Sequence, residues 1–314
     1  MQQQKHLFIM DPIEKLNLAL DSSLRIAFAL SKKGEKVYFC QMGDLYWESG
    51  KDPHSAAKAF TFNGQASAVN WGPTEQIRLD TFASIHMRKD PPFDINYITA
   101  TWFLEHCGEA LLVNNPAALR GFNEKMGILN FPEACKQSLV SSNPIQLFNF
   151  MEQHCNGDAI LKPLHLYGGK GITHLQTHSN SNSDIQSKLN ELTENGTHPF
   201  LVQAFDSNIY EGEIRAFLVG GKALSWCLKV PKKGEFLANT AAGASLHAYA
   251  PSSGLVSKVE ALGKKLLKQG IYFVGLDIIS EEVTEINITS PRLLVAPGDS
   301  RDYYEEIAKW ILSQ

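Results

Sequence analysis

Along the first 115 or so residues, short strand-like stretches alternate with stretches whose apolar residues recur at helical spacing. Residues 6–10, 36–40, 84–88 and 110–113 are the strand-like ones, and the first predicts a buried strand. Residues 21–33 predict a helix, with Leu24, Ala27, Phe28 and Leu30 along it and Gly34 as its stop. Residues 96–107 predict a second, carrying Ile98, Thr101, Trp102 and Leu104. Strand, helix and strand repeated in this way imply a parallel sheet with helices packed on it. Residues 47–80 interrupt the rhythm. They are polar and rich in Gly and Pro, and are expected to form an irregular hairpin or loop.

The second half has a different rhythm. Strand-like stretches at 159–162, 171–175, 200–204, 214–219 and 223–230 follow one another quickly, with turns such as Gly220-Gly221. That spacing predicts antiparallel pairing. Helices are expected at 184–194, 253–269 and 300–313, the middle one with Val256, Val259, Leu262, Leu266 and Leu267 on one side. Two further strands, 273–279 and 283–288, lie between the last two helices. The fold class is therefore α/β, with an N-terminal parallel-sheet domain over residues 1–120 and an α+β unit over 121–314. Residues 179–184 are a short low-complexity solvated loop.

Length agrees with this division, since 314 residues at roughly 150 per domain give about two domains. Lys and Arg number 29 against 33 Asp and Glu, a net charge of −4 that argues against a broad basic face for nucleic acid. The five cysteines have no CxxC spacing and read as small buried hydrophobes in a reducing compartment. The apolar run at residues 7–10 is too short for a signal segment, and no run approaches the ~20 residues of a membrane span. The expectation is a cytoplasmic protein with no membrane or nucleic-acid partner. Asn195 and Asn287 open Asn-x-Thr sequons, which without a secretory signal are chance.

The chain holds no HExxH, GxSxG or Walker A motif, so the usual hydrolase and P-loop chemistries lack support. Two features do carry chemistry. Lys162-Pro163 is followed by Gly168, Gly169, Lys170 and Gly171, a glycine-rich loop whose backbone N–H groups can approach an anion. Read alone, it is equally a hairpin turn with an exposed lysine. Near the C-terminus, Glu285 and Asn287 lie on one face of a strand while Ile286 and Ile288 turn the other way. Asp277 stands on the neighbouring strand. Oxygen-bearing groups from two strands suit Mg²⁺.

Several segments in order resemble the bacterial glutathione synthetases, a family of ATP-grasp ligases. They are Met10-Asp11-Pro12-Ile13, Asp21-Ser22-Ser23, Gln41-Met42-Gly43-Asp44-Leu45-Tyr46 and Met87-Arg88-Lys89-Asp90-Pro91-Pro92-Phe93-Asp94. Asn114-Asn115-Pro116, Leu119-Arg120, Asn123-Glu124-Lys125, the glycine loop, Gly275-Leu276-Asp277-Ile278-Ile279 and residues 284–291 complete the set. The resemblance implies an ATP-grasp unit of two lobes, 121–205 and 206–314, clasping ATP with Mg²⁺ (or Mn²⁺ in its place). A substrate carboxylate attacks the γ-phosphate, and an amine displaces phosphate from the acylphosphate. It also implies small-molecule substrates, namely a peptide carboxylate and an amine such as glycine, and a homo-oligomer.

Residue roles follow from the same resemblance. Lys125 and Lys162 contact phosphates and adenine, and Gly168, Gly169, Lys170 and Gly171 cover the triphosphate. Gln203, Ala204 and Phe205 form the hinge at the adenine edge, and Glu213 meets the ribose. Arg215 balances the transferring charge, with Lys229 at or next to the position of a family arginine. Asp277, Glu285 and Asn287 hold Mg²⁺, and Arg88, Lys89 and Asp90 face the peptide. The chain departs from the family after Lys229. Leu237 replaces an arginine, Ala244-Ser245-Leu246 replaces a Gly-Arg-Gly run, and residues 292–296 differ from the family's Thr-Cys-Ile-Arg-Glu-like segment. Three readings stay open: a glutathione synthetase-type ligase, a ligase with another peptide or amine, and a nucleotide-binding regulator without turnover.

Overall fold

Apolar strands that cannot be solvated on either face set the first layer of the molecule. The structure, a computed structural model, describes residues 3–62, 69–179 and 181–314. The tip of the 47–80 segment and Asn180 of the 179–184 loop lie outside the described residues. In the first sheet, strands β1 (Lys5–Ile9), β2 (Lys36–Cys40), β3 (Leu45–Tyr46), β4 (His54–Phe62), β5 (Val69–Arg78), β6 (Ser84–Met87) and β7 (Leu111–Val113) run in the order β3-β4-β2-β1-β6-β7, with β5 outside β4. The pairs β1–β2, β1–β6 and β6–β7 are parallel. Helix α1 (Ser22–Lys32) is capped by the Asp21 carboxylate, and α2 (Ile95–Leu104) by Asp94. Leu24, Ile26 and Leu30 pack with Phe8, Val37 and Phe39 in one core cluster.

Of the two forms expected for the 47–80 segment, the structure shows the irregular hairpin: strands β4 and β5 pair from His54 with Arg78 to Phe62 with Val69 and extend the sheet in antiparallel register. Its Gly and Pro signals have a local cause. The register shifts between Lys58 and Phe60, opposite Gly72 and Pro73, so the residue without an N–H sits at a bulge. A Cβ on Gly72 would lie 3.3 Å from that of Ala59.

Helix α3 (Pro116–Gly121) leads to the second sheet, whose strands β8 (Ser138–Ser141), β9 (Asp158–Pro163), β10 (Thr173–Gln176) and β11 (Phe200–Ala204) run β10-β9-β11-β8, all antiparallel. Helices α4 (Pro144–His154) and α5 (Asn182–Leu192) cover it, burying Leu147, Met151, Ile185 and Leu189 against Leu161 and Val202. Both β8 and α4 were missed in the sequence, although Asn143-Pro144 is a helix-start signal: the Asn143 side chain accepts from Ile145 and Gln146 N–H groups.

The third sheet holds β12 (Glu213–Val219), β13 (Lys222–Val230), β14 (Ser245–Ala248), β15 (Phe273–Ile279) and β16 (Glu282–Asn287) in the antiparallel order β14-β13-β12-β15-β16. Helix α6 (Ser253–Leu267) buries Leu255, Val259, Leu262 and Leu266 in the same core as Leu276 and Ile286, and α7 (Tyr303–Ile311) closes the chain. Asn114, at the end of β7, ties the first sheet to the third. Its Nδ2 donates to the carbonyls of Phe273 (2.8 Å) and Ile288 (2.7 Å), and its Oδ1 accepts from Tyr272 (2.7 Å) and Phe273 (2.8 Å). A buried amide with four partners fixes orientation as well as position.

A second buried polar group shapes the first sheet. Ser84 Oγ lies 2.7 Å from both His6 Nδ1 and His86 Nε2, and His86 stacks on Phe8. Burial pushes His6 down to about 4 and His86 well below its ordinary value, so both rings are neutral in the fold. The unfolded chain therefore binds more protons than the folded one below the ordinary histidine range. Stability is full above that range and falls as pH drops through it toward 4. Chemical denaturation at pH 7.5 and pH 5 should show a loss on the order of 2 kcal/mol from His6 alone.

Candidate active site

A cleft of about 470 Å³ opens between the second and third sheets. Its floor follows from strand register. Across the antiparallel pairs Glu213 faces Lys229, Arg215 faces Asp277, Asp277 faces Glu285, and Gly275 faces Asn287. Because side chains alternate along a strand, these polar groups share one face while Ile214, Ile278 and Ile286 turn into the core.

Arg215 grips Asp277 through two parallel bonds, Nε to Oδ1 and Nη2 to Oδ2, both 2.9 Å. Lys229 Nζ adds a third at 2.6 Å to Oδ1 and also pairs with Glu213. Asn287 Nδ2 donates to Asp277 Oδ2 (3.0 Å) and to the Gly275 carbonyl (3.1 Å). Burial alone would raise the Asp277 carboxyl. Arg215 and Lys229 override it and hold that group far below the usual carboxylate range. Burial likewise opposes the charge on Lys229, but Asp277 and Glu213 raise it above its ordinary value. Gly275 makes room for this arrangement, since a Cβ there would come within 3.0 Å of Arg215 Nη1 and 3.1 Å of Pro291.

The second sheet supplies the roof. Lys162 is buried, among the described residues reaches only the Thr284 carbonyl (3.4 Å), and has its charge disfavoured by burial. Lys125 Nζ donates to the Leu166 carbonyl (2.6 Å) and lies 3.5 Å from Glu285 Oε1. Between them runs the glycine loop, with Gly168, Gly169 and Gly171 at positive φ, where L side chains are strained. Lys170 sits over the Tyr167 ring. Gln203, Ala204 and Phe205 end β11 at the other side of the cleft, and Gln203 Nε2 donates to Ser138 Oγ (3.0 Å). Phe205 stacks on His174 (4.1 Å), whose Nε2 lies 2.5 Å from Asp158 Oδ1.

The structure thus brings together Lys125, Lys162, the glycine loop, the 203–205 hinge, Glu213, Arg215, Lys229, Asp277, Glu285 and Asn287 in one cleft. The peptide-facing trio divides. Asp90 lines the cleft rim and is exposed. Lys89 pairs with Asp11 (3.0 Å). Arg88 is buried, donating to Ser23 Oγ (3.0 Å) and to the Pro291 carbonyl (2.9 Å), and it is not among the lining residues. The departing loop enters the cleft as an apolar wall of Phe236, Leu237 and Ala238, with Phe236 set edge-on to Phe205 and His174.

Sequence reasoning gave no role to Glu124, although it adjoins Lys125. Its Oε1 accepts from the N–H groups of Ile288 (2.7 Å) and Thr289 (2.9 Å) and from Thr289 Oγ1 (3.0 Å). Burial raises its carboxyl above the ordinary value against those donors. Lys136, paired with Asp206 (3.1 Å), was missed as well. Among the described residues no three His, Cys, Asp or Glu side chains gather as a metal cluster. The residues expected to hold a divalent ion, Asp277, Glu285 and Asn287, are instead two carboxylates and an amide that line one cleft. Asn287 commits its Nδ2 to Gly275 and Asp277, so its carbonyl oxygen stays available, and hard oxygen donors of this kind fit Mg²⁺.

The buried pairs make the floor sensitive to loss of one partner. Lys229→Met leaves Asp277 and Glu213 short of a counter-charge and should lower unfolding free energy by about 3–5 kcal/mol in urea titration. Lys229→Arg, which keeps the charge, should lose much less.

Comparison with known proteins agrees with this geometry. The prokaryotic glutathione synthetase N-terminal domain matches residues 4–120, and the ATP-grasp domain of the same family matches 124–296. A glutathione synthetase of Nitrosomonas europaea is 35% identical over 293 residues, covering 91% of this chain and 90% of its own. That of Pseudomonas syringae pv. tomato is 36% identical over 286 residues, covering 90% and 88%. Among solved structures, the D-cycloserine synthetase DcsG superposes with a TM-score of 0.68 at 12% identity, covering 98% of this chain and 99% of its own. The ATP-grasp ligase PsnB superposes at 0.63 and 15%, covering 100% and 99%; both likenesses show the fold alone. With both of its domains matched and the curated relatives covered nearly end to end, the chain belongs to the prokaryotic glutathione synthetase family of ATP-dependent ligases.

Proposed function

We propose that this ligase joins the free carboxylate of γ-glutamylcysteine to the amine of glycine through an acylphosphate. Enzymes of this family use ATP and Mg²⁺. The observation that carries the reading is the facing of two surfaces across one cleft. Lys125, Lys162 and the glycine loop offer cations and N–H groups, while Arg215, Lys229, Asp277, Glu285 and Asn287 lie opposite. Phosphoryl transfer to a carboxylate needs positioned cations and exclusion of water, with no side-chain nucleophile.

Each residue then has a task in this reading. The Gly168–Lys170 backbone covers the triphosphate and Lys162, short of a counter-charge, meets a phosphate. Gln203, Ala204 and Phe205 read the adenine edge, and Glu213 meets the ribose. Arg215 and Lys229 stabilise charge on the transferring phosphoryl group. Asp277, Glu285 and Asn287 are the residues that would hold Mg²⁺, which supplies charge neutralisation on phosphate oxygens when bound. Asp90 faces the dipeptide, with Lys89 beside it and Arg88 fixing the Pro291 turn behind. The loop from Phe236 to Thr240 closes over the acylphosphate, and Asn239 Nδ2 already donates to the Gly168 carbonyl (2.5 Å).

Residues 1–120 serve in this reading as the substrate-side domain and 121–314 as the nucleotide-clasping one. A cytoplasmic setting accords with five buried cysteines that form no disulfide. Among the described residues no helix is long and apolar enough to cross a membrane. Homo-oligomer formation would cover the exposed Trp47, Ile95 and Trp102 on and around α2.

One observation favours a second reading with a different acceptor: Leu237 presents an apolar side chain to the cleft where the family has an arginine. Phosphate release measured with Mg-ATP, γ-glutamylcysteine and a panel of amines decides between them. Glycine-dependent release is the expected result, whereas release with another amine alone selects the second reading. Nucleotide binding without release for any pair would leave a regulator. With the active pair, Glu285→Ala should abolish turnover while its circular dichroism and melting remain those of a folded protein; undiminished activity would remove Glu285 from the metal site.

A further inference from the structure

Among the described residues, one partly buried carboxylate in the cleft lacks a counter-charge. Six acidic side chains line it: Asp90, Glu124, Asp206, Glu213, Asp277 and Glu285. Four are paired, Asp277 with Arg215 and Lys229, Glu213 with Lys229, Glu285 with Lys125, and Asp206 with Lys136. Asp90 has no cation on its carboxylate but stands exposed at the rim, where water solvates it. Glu124 is half-buried, and among the described residues no cation lies on its carboxylate. Three neutral donors from Ile288 and Thr289 converge on Oε1, and among the described residues nothing donates to Oε2. A carboxylate drawn out of water with one satisfied oxygen is costly unless a positive group arrives at the other.

Of the ligands placed so far, triphosphate and substrate carboxylate are anionic, and Mg²⁺ is assigned to Asp277, Glu285 and Asn287, so none is directed to Oε2. The acceptor amine can supply that group, since it enters as an ammonium. We propose that Glu124 Oε2 receives the ammonium of the acceptor amine and holds its nitrogen toward the acylphosphate; the ammonium gives one proton to water, and the freed lone pair then attacks the acyl carbon as phosphate leaves. This rests on the dipeptide-plus-glycine reading and assigns the acceptor a place within it.

Position favours the acceptor over the dipeptide's own ammonium. Glu124 holds Ile288 and Thr289, the residues directly after Glu285 and Asn287, so a cation at Oε2 lies beside the strand that would carry the metal and the reacting phosphate. The attacking nitrogen must come within about 3–3.5 Å of the acyl carbon. The dipeptide's ammonium lies many bonds from its reacting carboxylate and belongs farther out, toward Asp90 at the rim. Thr289 is the companion of this site: its hydroxyl and N–H both lock the Glu124 carboxylate, which leaves one oxygen aimed by a rigid support.

The test is Glu124→Gln, which keeps an oxygen to accept from Ile288 and Thr289 but removes the charge. Initial rates are measured while dipeptide, MgCl₂ and acceptor are varied separately, with either glycine or hydroxylamine as acceptor. Hydroxylamine is largely uncharged at neutral pH and has no ammonium to bind. The expected result is a KM for glycine raised about 10- to 100-fold, with the KM for dipeptide, the Mg²⁺ dependence and hydroxamate formation unchanged. Asp90→Asn should instead raise the KM for dipeptide. An unchanged glycine KM in Glu124→Gln would overturn the proposal. So would a parallel fall in hydroxamate formation, which marks a merely structural role, or a shift in Mg²⁺ dependence alone. If the wild-type protein forms neither product nor hydroxamate from γ-glutamylcysteine, the substrate reading fails and the proposal with it. Wild-type turnover beside an unaffected variant rejects Glu124 alone.

Discussion

The Asp277 carboxylate, buried among Arg215, Lys229 and Asn287, is the constraint around which the cleft is organised. An ionised group removed from water must find opposite charge and hydrogen bonds together, and here three strands contribute them. Arg215 comes from β12, Lys229 from β13 and Asn287 from β16, so the four strands must hold one register for the cluster to exist. A one-residue slip in any of them would send its polar group to the core and an apolar side chain to the cleft. The same interactions that neutralise Asp277 therefore align Glu213 and Glu285 beside it. Gly275 belongs to the constraint, because only its missing side chain lets the guanidinium lie across β15.

Charge balance differs between the two sides of the cleft. On the floor, cations and carboxylates are matched at contact distance. On the roof, Lys162 is buried with a single carbonyl partner, and burial disfavours its charge. A roof short of negative charge and lined by glycine N–H groups is suited to an anion with several oxygens. The loop after β13 links the two sides, with Phe236 against Phe205 and His174 and Asn239 against Gly168. Its apolar residues Phe236, Leu237 and Ala238 line the cleft but offer no fork for a carboxylate.

Legibility in the sequence followed the physics of each segment. Strands buried on both faces, such as β1, β2 and β15, read directly as apolar runs, and α1 was marked by Asp21 at its start and Gly34 beyond its end. The β4–β5 hairpin could not be told from a loop in the sequence because Gly72 and Pro73 serve a bulge instead of a turn. Strand β8 and helix α4 were hidden because their burial is partial, and Asn143-Pro144 was the only sharp signal. The shared face of Glu285 and Asn287 was visible from alternation alone. Arg88, by contrast, has the same charge whether it faces a substrate or ties down Pro291, and composition cannot tell these apart.

The sequence by itself determined the alternation of elements, the polar face of β16, the glycine loop and the family to which these belong. Those properties depend on neighbours in the chain, which set side-chain periodicity and backbone freedom. Only the tertiary structure decided which charges are matched and which are left over. Lys229 sits 48 residues from Asp277, and Glu124 is held by residues 164 and 165 positions away. Counter-charges in a buried site are assigned by distance in space, and that distance exists only once the three sheets have packed.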